Sequence, residues 1–443
     1  MVRPPFMNAP GPEPAQMLRG FVDIRKAAPE FLSAMRDQFG PIVQFPIPKP
    51  LSYLVSDPNW VDYVLRVNSK NFGKATIQYR TLALVTGFGL LAADTPAWRE
   101  QRKVVQPAFH HDVISQVVKH SVTATEQVLD TLKAAKSDIV DIDHQMMELA
   151  LNVVGAALFG ADFEAKAKKL ISATLSGLDV VVARARTPIF PPRWLPTILN
   201  LKLQFANRTL NRAVDELIAN AVKNPGANSM VDLLVAELTA GNFTKAQVRN
   251  EIVTFIVAGH ETVASALSWA LHLISENPDI QEKIHQEATS VLGARQPEFS
   301  DYAKLGYTQA VLNEAMRLYP PAWVLSRSVL ADDEIAGIKI KAGSLIVISP
   351  WVVHRDQTAW PNPTKFDPTR FLDNSKHVAG AFIPFGLGNR MCIGKDFAMF
   401  EGVIALALLA RDFGFEPTAQ KVIALPAVTV RPKNGLLLKL TRR

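Results

Sequence analysis

The chain has 443 residues, 48% of them hydrophobic, with 48 basic against 41 acidic side chains for a net charge of +7. That hydrophobic share supplies a large core, and the dispersed basic excess, with no block of five, offers no nucleic-acid-binding arm. A single cysteine, Cys392, excludes an intramolecular disulfide and a multi-cysteine zinc site.

Prolines at 4, 5, 10, 12 and 14 make residues 1–20 an extended arm. No apolar stretch of 18 or more residues opens the chain, so neither a membrane anchor nor a signal peptide is expected, and one cysteine suits a reducing cytoplasm. The short apolar runs of residues 42–57 predict a small β-hairpin. Helical periodicity covers Pro58 to Ser69, Trp98 to about Gln106, and most of 110–240. Thr244, with Gln247 three residues on, is a capping box that opens a long helix from about Lys245 to Glu276, stopped before Pro278. At 1.5 Å per residue this helix spans roughly 45–50 Å, and its apolar character on most faces makes it central and buried. Short strands are predicted near 322–329 and 333–349, then an irregular meander over 350–391, then a final helix from about Lys395 to Arg411. No linker or repeat divides the chain, so residues 1–443 are expected to form one domain, mainly α with small β-sheets.

Four motifs carry chemistry. Phe385-Gly386-Leu387-Gly388-Asn389-Arg390-Met391-Cys392-Ile393-Gly394 fits F-x-x-G-x-R-x-C-x-G, the pattern a haem-thiolate ligand needs. Glycines such as Gly386 let the backbone pass beneath a flat macrocycle, Arg390 reaches a propionate, and Gly394 turns the chain into a helix whose first N–H groups stabilise the Cys392 thiolate. Mid-way along the long helix stands Ala258-Gly259-His260-Glu261-Thr262. A glycine inside a helix costs about 1 kcal/mol against alanine, and a threonine hydroxyl bonded back one turn loosens the ladder; together they point to a local groove for dioxygen and water. Glu261 beside Thr262 supplies an acid for proton relay. His260 lacks a second ligand at i+4 and reads as a packing residue. Glu314 and Arg317, in Glu314-Ala315-Met316-Arg317, share a helix face and can pair; so do Trp98 and Arg102 at i and i+4.

These four signatures, with three in the right order upstream of the cysteine loop, resemble the cytochrome P-450 family over nearly the whole chain. The resemblance implies the family's fold, with haem b (iron protoporphyrin IX) between the long helix and the cysteine loop and Cys392 as the iron ligand. It implies that Trp98, Arg102, Arg327 and Arg390 meet the haem propionates. It implies that Phe385, Gly386, Gly394 and Ala258 adjoin the cofactor and that Thr262 and Glu261 deliver protons. Arg370, in Phe366-Asp367-Pro368-Thr369-Arg370-Phe371, is expected to join Glu314 and Arg317 in a structural network that holds the cysteine loop. Gln78 and Tyr79 stand where the family lines its pocket, and Phe190 and Trp194 where it covers the substrate entrance.

The implied reaction is the insertion of one oxygen atom of O₂ into an apolar substrate. Electrons would come from a separate ferredoxin and its reductase, since the chain has no cysteine cluster of its own. The segments Gln78-Tyr79-Arg80, Gly87 to Leu91, Ala258 to Trp269, Leu318 to Trp323 and Phe385 to Gly388 are similar to bacterial carotene-hydroxylating members, which act on the β-ionone ring of β-carotene. Long-chain fatty acid hydroxylation is the alternative. A peroxide-driven enzyme and a non-enzymatic haem sensor are further alternatives; the first typically lacks the acid–threonine pair and the second would carry a signalling module. A soluble, cytoplasmic protein with peripheral membrane contact for substrate uptake is expected.

Overall fold

In a computed structural model of the chain, which describes residues 6–17, 27–109, 111–160, 164–185, 192, 194–223, 229–372 and 377–443, helices dominate and short strands gather at the edges. Helix α1 (Ala28–Phe39) leads into the hairpin β1 (Ile42–Phe45) and β2 (Ser52–Val55). Helix α2 (Pro58–Asp62), β3 (Phe72–Gly73), α3 (Ile77–Thr86) and α4 (Thr95–Val105) follow. Next come α5 (His111–Ala134), β4 (Ile139–Asp141), α6 (Ile142–Phe159), α7 (Glu164–Ala185), α8 (Ile198–Lys223) and α9 (Met230–Thr239). The long helix α10 (Lys245–Ser275) precedes α11 (Pro278–Leu292) and α12 (Gly306–Leu318). Strands β5 (Leu325–Val329), β6 (Asp333–Ile335), β7 (Ile338–Ile340) and β8 (Leu345–Ile348) lead to the short α13 (Pro350–Val353), the meander and α14 (Lys395–Asp412). Strands β9 (Phe413–Pro417), β10 (Ala424–Pro426), β11 (Val430–Pro432) and β12 (Leu437–Arg442) close the chain.

The expected fold class holds, mainly α with small β-sheets. One sheet has the order β1-β2-β8-β5-β3 and a second β4-β12-β9, while β6-β7 and β10-β11 are two-stranded. Helix α3 and strands β9 to β12 are not predicted by periodicity. The strands run to six residues at most, too short for alternation to stand out, and β12 buries just Leu438. Of the N-terminal arm, residues 6–13 are irregular and tied to β1: the N–H groups of Asn8 and Ala9 donate to the Gln44 side chain, and Gln44 N–H donates to the Pro10 carbonyl.

Helix α10 begins at the expected capping box, with the Thr244 and Gln247 side chains each accepting the other's backbone N–H. Among the described residues it is the one helix long and apolar enough to cross a membrane, and it is wrapped by protein instead. It packs with α5, α6, α11, α12 and α14 in the largest core cluster, and in a second cluster with α7, α8 and α9. Its buried run from Glu251 to Val257 and from Val263 to Ser275 is interrupted at Ala258, Gly259, Glu261 and Thr262, which stay partly open. An inner hollow therefore meets the helix at its middle.

Gly259 has a packing reason in this structure. A Cβ there would lie 2.7 Å from Cγ2 of Val154, so the missing side chain lets α6 approach α10 closely. Gly259→Ala is expected to lower stability by about 1–3 kcal/mol through overpacking. Denaturant unfolding measures the loss, which should vanish in a Val154→Ala background; a loss that persists there would place the clash elsewhere.

Candidate functional site

The cysteine loop is a tight, glycine-dependent turn between Ile383 and Gly394. Gly386 and Gly388 have φ of 72° and 68°, and a Cβ on Gly388 would stand 2.3 Å from the Leu65 carbonyl oxygen. The Gly386, Met391 and Cys392 N–H groups donate to the carbonyls of Ile383 (3.0 Å), Gly388 (3.0 Å) and Phe385 (2.8 Å). Over Gly386 the space is open: a Cβ there meets nothing nearer than the Arg390 carbonyl at 3.9 Å. Cys392 is exposed by surface area, yet burial pushes its thiol above the ordinary range, while the Gly394 N–H, Arg102 and Lys74 pull it down. Both observations hold if the sulfur lines an internal hollow, deep among protein atoms but uncovered. Phe109 joins this loop to the central helix: its ring is 3.6 Å from a Cβ placed on Gly394, and 5.7 Å, centre to centre, from Phe255 of α10.

Four cations converge beside the loop. Antiparallel pairing of β3 with β5 sets Gly73 opposite Ser328, which brings the next residue, Lys74, near Arg327. Lys74 is buried, donates to the Leu91 carbonyl at 2.8 Å and lies 4.4 Å over the Tyr79 ring. Burial, then Arg327 and Arg390, hold its amine well below the ordinary range. Arg390 is held to about 10 by burial and by Arg327, although Asp94 stands 3.8 Å away. Its guanidinium lies 4.2 Å over the Trp98 indole and donates to the Ala93 carbonyl at 2.8 Å. Arg102 donates to the Met391 carbonyl at 2.9 Å, and Arg327 to the Ser326 carbonyl at 2.9 Å. With Asp94 as the neighbouring carboxylate, the cluster keeps an excess of desolvated positive charge, which a buried dianion would neutralise. Trp98, Arg102, Arg327 and Arg390 are thus brought together as expected. Lys74 and Asp94 were not foreseeable, since neither belongs to a motif.

The middle of α10 carries the second half of the site. The Thr262 hydroxyl donates to the Ala258 carbonyl at 2.5 Å, and the helix stays continuous around that bond. Burial raises the Glu261 carboxyl, and Arg431 and the Thr429 hydroxyl, 3.4 Å away, lower it. His260 is a packing residue: its Nε2 is 3.2 Å from the Met147 carbonyl, and burial holds it to about 4. Further towards the N-terminus of the helix, both oxygens of the buried Glu251 accept the Leu90 N–H, at 3.1 and 3.0 Å, which fastens the segment carrying Leu91 and so the partner of Lys74.

The structural network is deeper than the motif suggests. Glu314 and Arg317 are fully buried and form a two-pronged pair at 2.6 and 2.8 Å. Arg370 lies 3.4 Å from Glu314, whose Oε1 also accepts the Asp367 N–H at 2.9 Å. Arg317 donates to the carbonyls of His354, Pro363 and Lys365. His354 carries the linkage into the loop. Its Nε2 accepts the Ile383 N–H at 2.8 Å, which leaves the proton on Nδ1 to donate to the Arg317 carbonyl at 3.2 Å. Burial, then Arg317, hold His354 to about 3, so the ring stays neutral.

Gln78 and Tyr79 both meet strand β5. Gln78 donates to the Val324 carbonyl at 3.2 Å and accepts the Ser326 hydroxyl at 2.6 Å. Tyr79 is buried, with its hydroxyl 3.5 Å from Arg327. Trp194 is 80% exposed; Phe190 lies outside the described residues.

The chain belongs to the cytochrome P450 family, whose model matches residues 9–439. It is 32% identical to Protein LUTEIN DEFICIENT 5, chloroplastic, from Arabidopsis thaliana, over 89% of this chain and 71% of that one. It is 32% identical to cyclooctatin synthase from Streptomyces melanosporofaciens (88% and 84%) and 31% identical to pentalenene oxygenase from Streptomyces avermitilis (93% and 92%). The crystal structure of CYP175A1 from Thermus thermophillus superposes with a TM-score of 0.80 at 28% identity, covering 97% of this chain and 99% of that one. The protein is therefore a monooxygenase that uses haem iron, O₂, an organic substrate and electrons from a redox partner. Its own residues fit such a group, through an uncovered sulfur, open space at Gly386 and a cation cluster short of an anion.

Glu314→Ala leaves the Arg317 guanidinium buried without its carboxylate. The variant is expected to lose about 3–5 kcal/mol and to purify with little haem. Thermal unfolding and haem-to-protein ratio measure this; full haem loading at unchanged stability would show that the network is dispensable.

Proposed function

We propose that this monooxygenase hydroxylates the β-ionone ring of a carotenoid such as β-carotene, by R–H + O₂ + 2 e⁻ + 2 H⁺ → R–OH + H₂O. Haem b, with a Cys392 thiolate on its iron, supplies the oxygen-activating chemistry. Trp98, Arg102, Arg327 and Arg390, with Lys74, hold its propionates. Phe385, Gly386 and Gly394 shape the proximal side, and Ala258 the distal side. Glu314, Arg317 and Arg370 keep the loop in register. Thr262 and Glu261 hold and pass protons into the hollow at the middle of α10. The observation that carries the cofactor reading is the buried excess of positive charge at Lys74, Arg327 and Arg390 beside the open Cys392 sulfur.

The substrate reading is supported by the relative named for lutein, itself a hydroxylated carotenoid. Relatives named for cyclooctatin and pentalenene favour a second reading, a smaller cyclic terpenoid. Ile198, Leu201 and Phe205 recur at helical spacing on α8 and are 86%, 51% and 74% exposed, close to Trp194, which supports peripheral contact with the membrane that dissolves such a substrate. We place the protein in the cytoplasm as one domain of residues 1–443, with Gln78, Tyr79, Phe190 and Trp194 on the substrate's path. Electrons come from a ferredoxin and its reductase; an open recess of about 510 Å³ lined by Arg99, Arg102, Lys103 and Asn389 suits an acidic carrier.

Titrating the ferric protein separately with β-carotene, a long-chain fatty acid and a cyclic terpene, with product analysis, tests the substrate. A Soret shift and ring hydroxylation with β-carotene are expected; turnover confined to the fatty acid or the terpene would overturn the carotenoid reading. Thr262→Ala is expected to keep the substrate-induced shift, consume reductant and release peroxide, while product per electron pair falls. An unchanged yield per electron pair would remove Thr262 from proton delivery.

A further inference from the structure

Residues 88–93, between α3 and α4, present their carbonyls to the cation cluster. The Leu91 carbonyl accepts the buried Lys74 amine at 2.8 Å, and the Ala93 carbonyl accepts the Arg390 guanidinium at 2.8 Å. The segment turns back on itself, with the Ala92 and Ala93 N–H groups both donating to the Gly89 carbonyl, at 3.0 and 2.8 Å. It lies tight against α10: a Cβ on Gly89 would stand 2.5 Å from the Thr254 hydroxyl and 2.7 Å from the Asn250 carbonyl.

Three buried polar side chains back residues 88 to 90, and much of their hydrogen-bonding capacity is unspent. Gln101 of α4 donates to the Phe88 carbonyl at 2.9 Å, but its Oε1 has no partner, and neither has the Thr254 hydroxyl. Glu251 of α10 is fully buried, and its two oxygens share one donor, the Leu90 N–H. A buried carboxylate needs a cation or several donors to stay charged. The charged side chains of the surrounding elements are engaged elsewhere. Arg249 of α10 meets the Val85 carbonyl and Asn207, Lys74 meets Leu91, Arg102 of α4 meets Met391, and Asp232 of α9 caps its own helix at Ser229. Burial pushes the Glu251 carboxyl up to about 7, and the Leu90 N–H pulls it the other way.

We infer that Glu251 is a latch for residues 88–93, and so a positioning residue for Lys74 and Arg390: as the uncharged acid it keeps the segment shut on α10, and on ionising it lets the segment lift and admit water. The inference rests on the reading above that Lys74 and Arg390 hold the cofactor's propionates. With the segment lifted into water, Glu251 ionises in the ordinary carboxyl range; with the segment shut, it keeps its proton up to about 7. The hold is therefore complete below the ordinary range, is lost as pH rises through the window between the two, and levels off above it. The unpartnered Gln101 Oε1 and Thr254 hydroxyl give water entering behind the segment groups to bind.

Amide hydrogen exchange of the haem-loaded full chain, read on peptides covering residues 88–93 and corrected for the intrinsic rate at each pH, tests the latch. In the unmodified protein, protection should fall by up to about tenfold per pH unit between about pH 5 and 7 and then level off. Glu251→Gln, which stays uncharged, should keep its protection throughout. Haem transfer to excess apomyoglobin should match between the two proteins at the acid end and run severalfold faster in the unmodified protein at the neutral end. A flat protection profile in the unmodified protein, or an equal fall in Glu251→Gln, would overturn the latch. Lys74→Met isolates the underlying reading, because it should speed haem transfer at every pH. An unchanged rate in Lys74→Met would overturn the propionate role of Lys74, and the positioning with it. A faster rate there, with equal transfer from the unmodified protein and Glu251→Gln at the neutral end, would overturn the positioning alone.

Discussion

Lys74, Arg327 and Arg390 are desolvated together, with Asp94 as their neighbouring carboxylate. No chain keeps such a cluster without return, since each buried cation costs several kcal/mol that carbonyl contacts offset in part. The scaffold is built to hold it. The β3-β5 pairing sets Lys74 beside Arg327, and Arg390 stacks on Trp98 from the cysteine loop. A flat dianionic cofactor would be held at this edge by Lys74, Arg102, Arg327 and Arg390, with Cys392 available to its iron, which would link the electrostatics of the cluster to the iron chemistry.

The register of that sulfur depends on a chain of contacts that begins far from it. Glu314 neutralises Arg317; Arg317 gathers three meander carbonyls; His354 reads the Arg317 carbonyl on one nitrogen and the Ile383 N–H on the other. The cysteine turn then starts at Ile383. On the distal side, α10 brings Thr262 to the hollow by virtue of its length and burial. Gly259 serves the same end by letting α6 close on the helix. Fold stability and site geometry are thus supplied by the same buried polar contacts.

What the sequence discloses follows sequence distance. The α10 cap, the Glu314–Arg317 pair and the glycine turn before Cys392 each lie within ten residues, where local rules apply. Lys74 and Arg327 are 253 positions apart, Asp143 and Arg431 288, and only strand pairing or helix packing joins them. His354 stands in an irregular stretch with no periodicity to mark it. A helix glycine does not by itself say which neighbour needs the space; at Gly259 the structure shows Val154 as one.

The central claim is the proposal that Cys392 binds haem iron as a thiolate beside this cation cluster. The reduced protein under carbon monoxide tests it most directly, in unmodified form and as Cys392→Ala. The account predicts the red-shifted Soret band of a thiolate-ligated haem in the first and its loss in the second. A thiolate-type band that survives in Cys392→Ala, or its absence from fully haem-loaded unmodified protein, would contradict it.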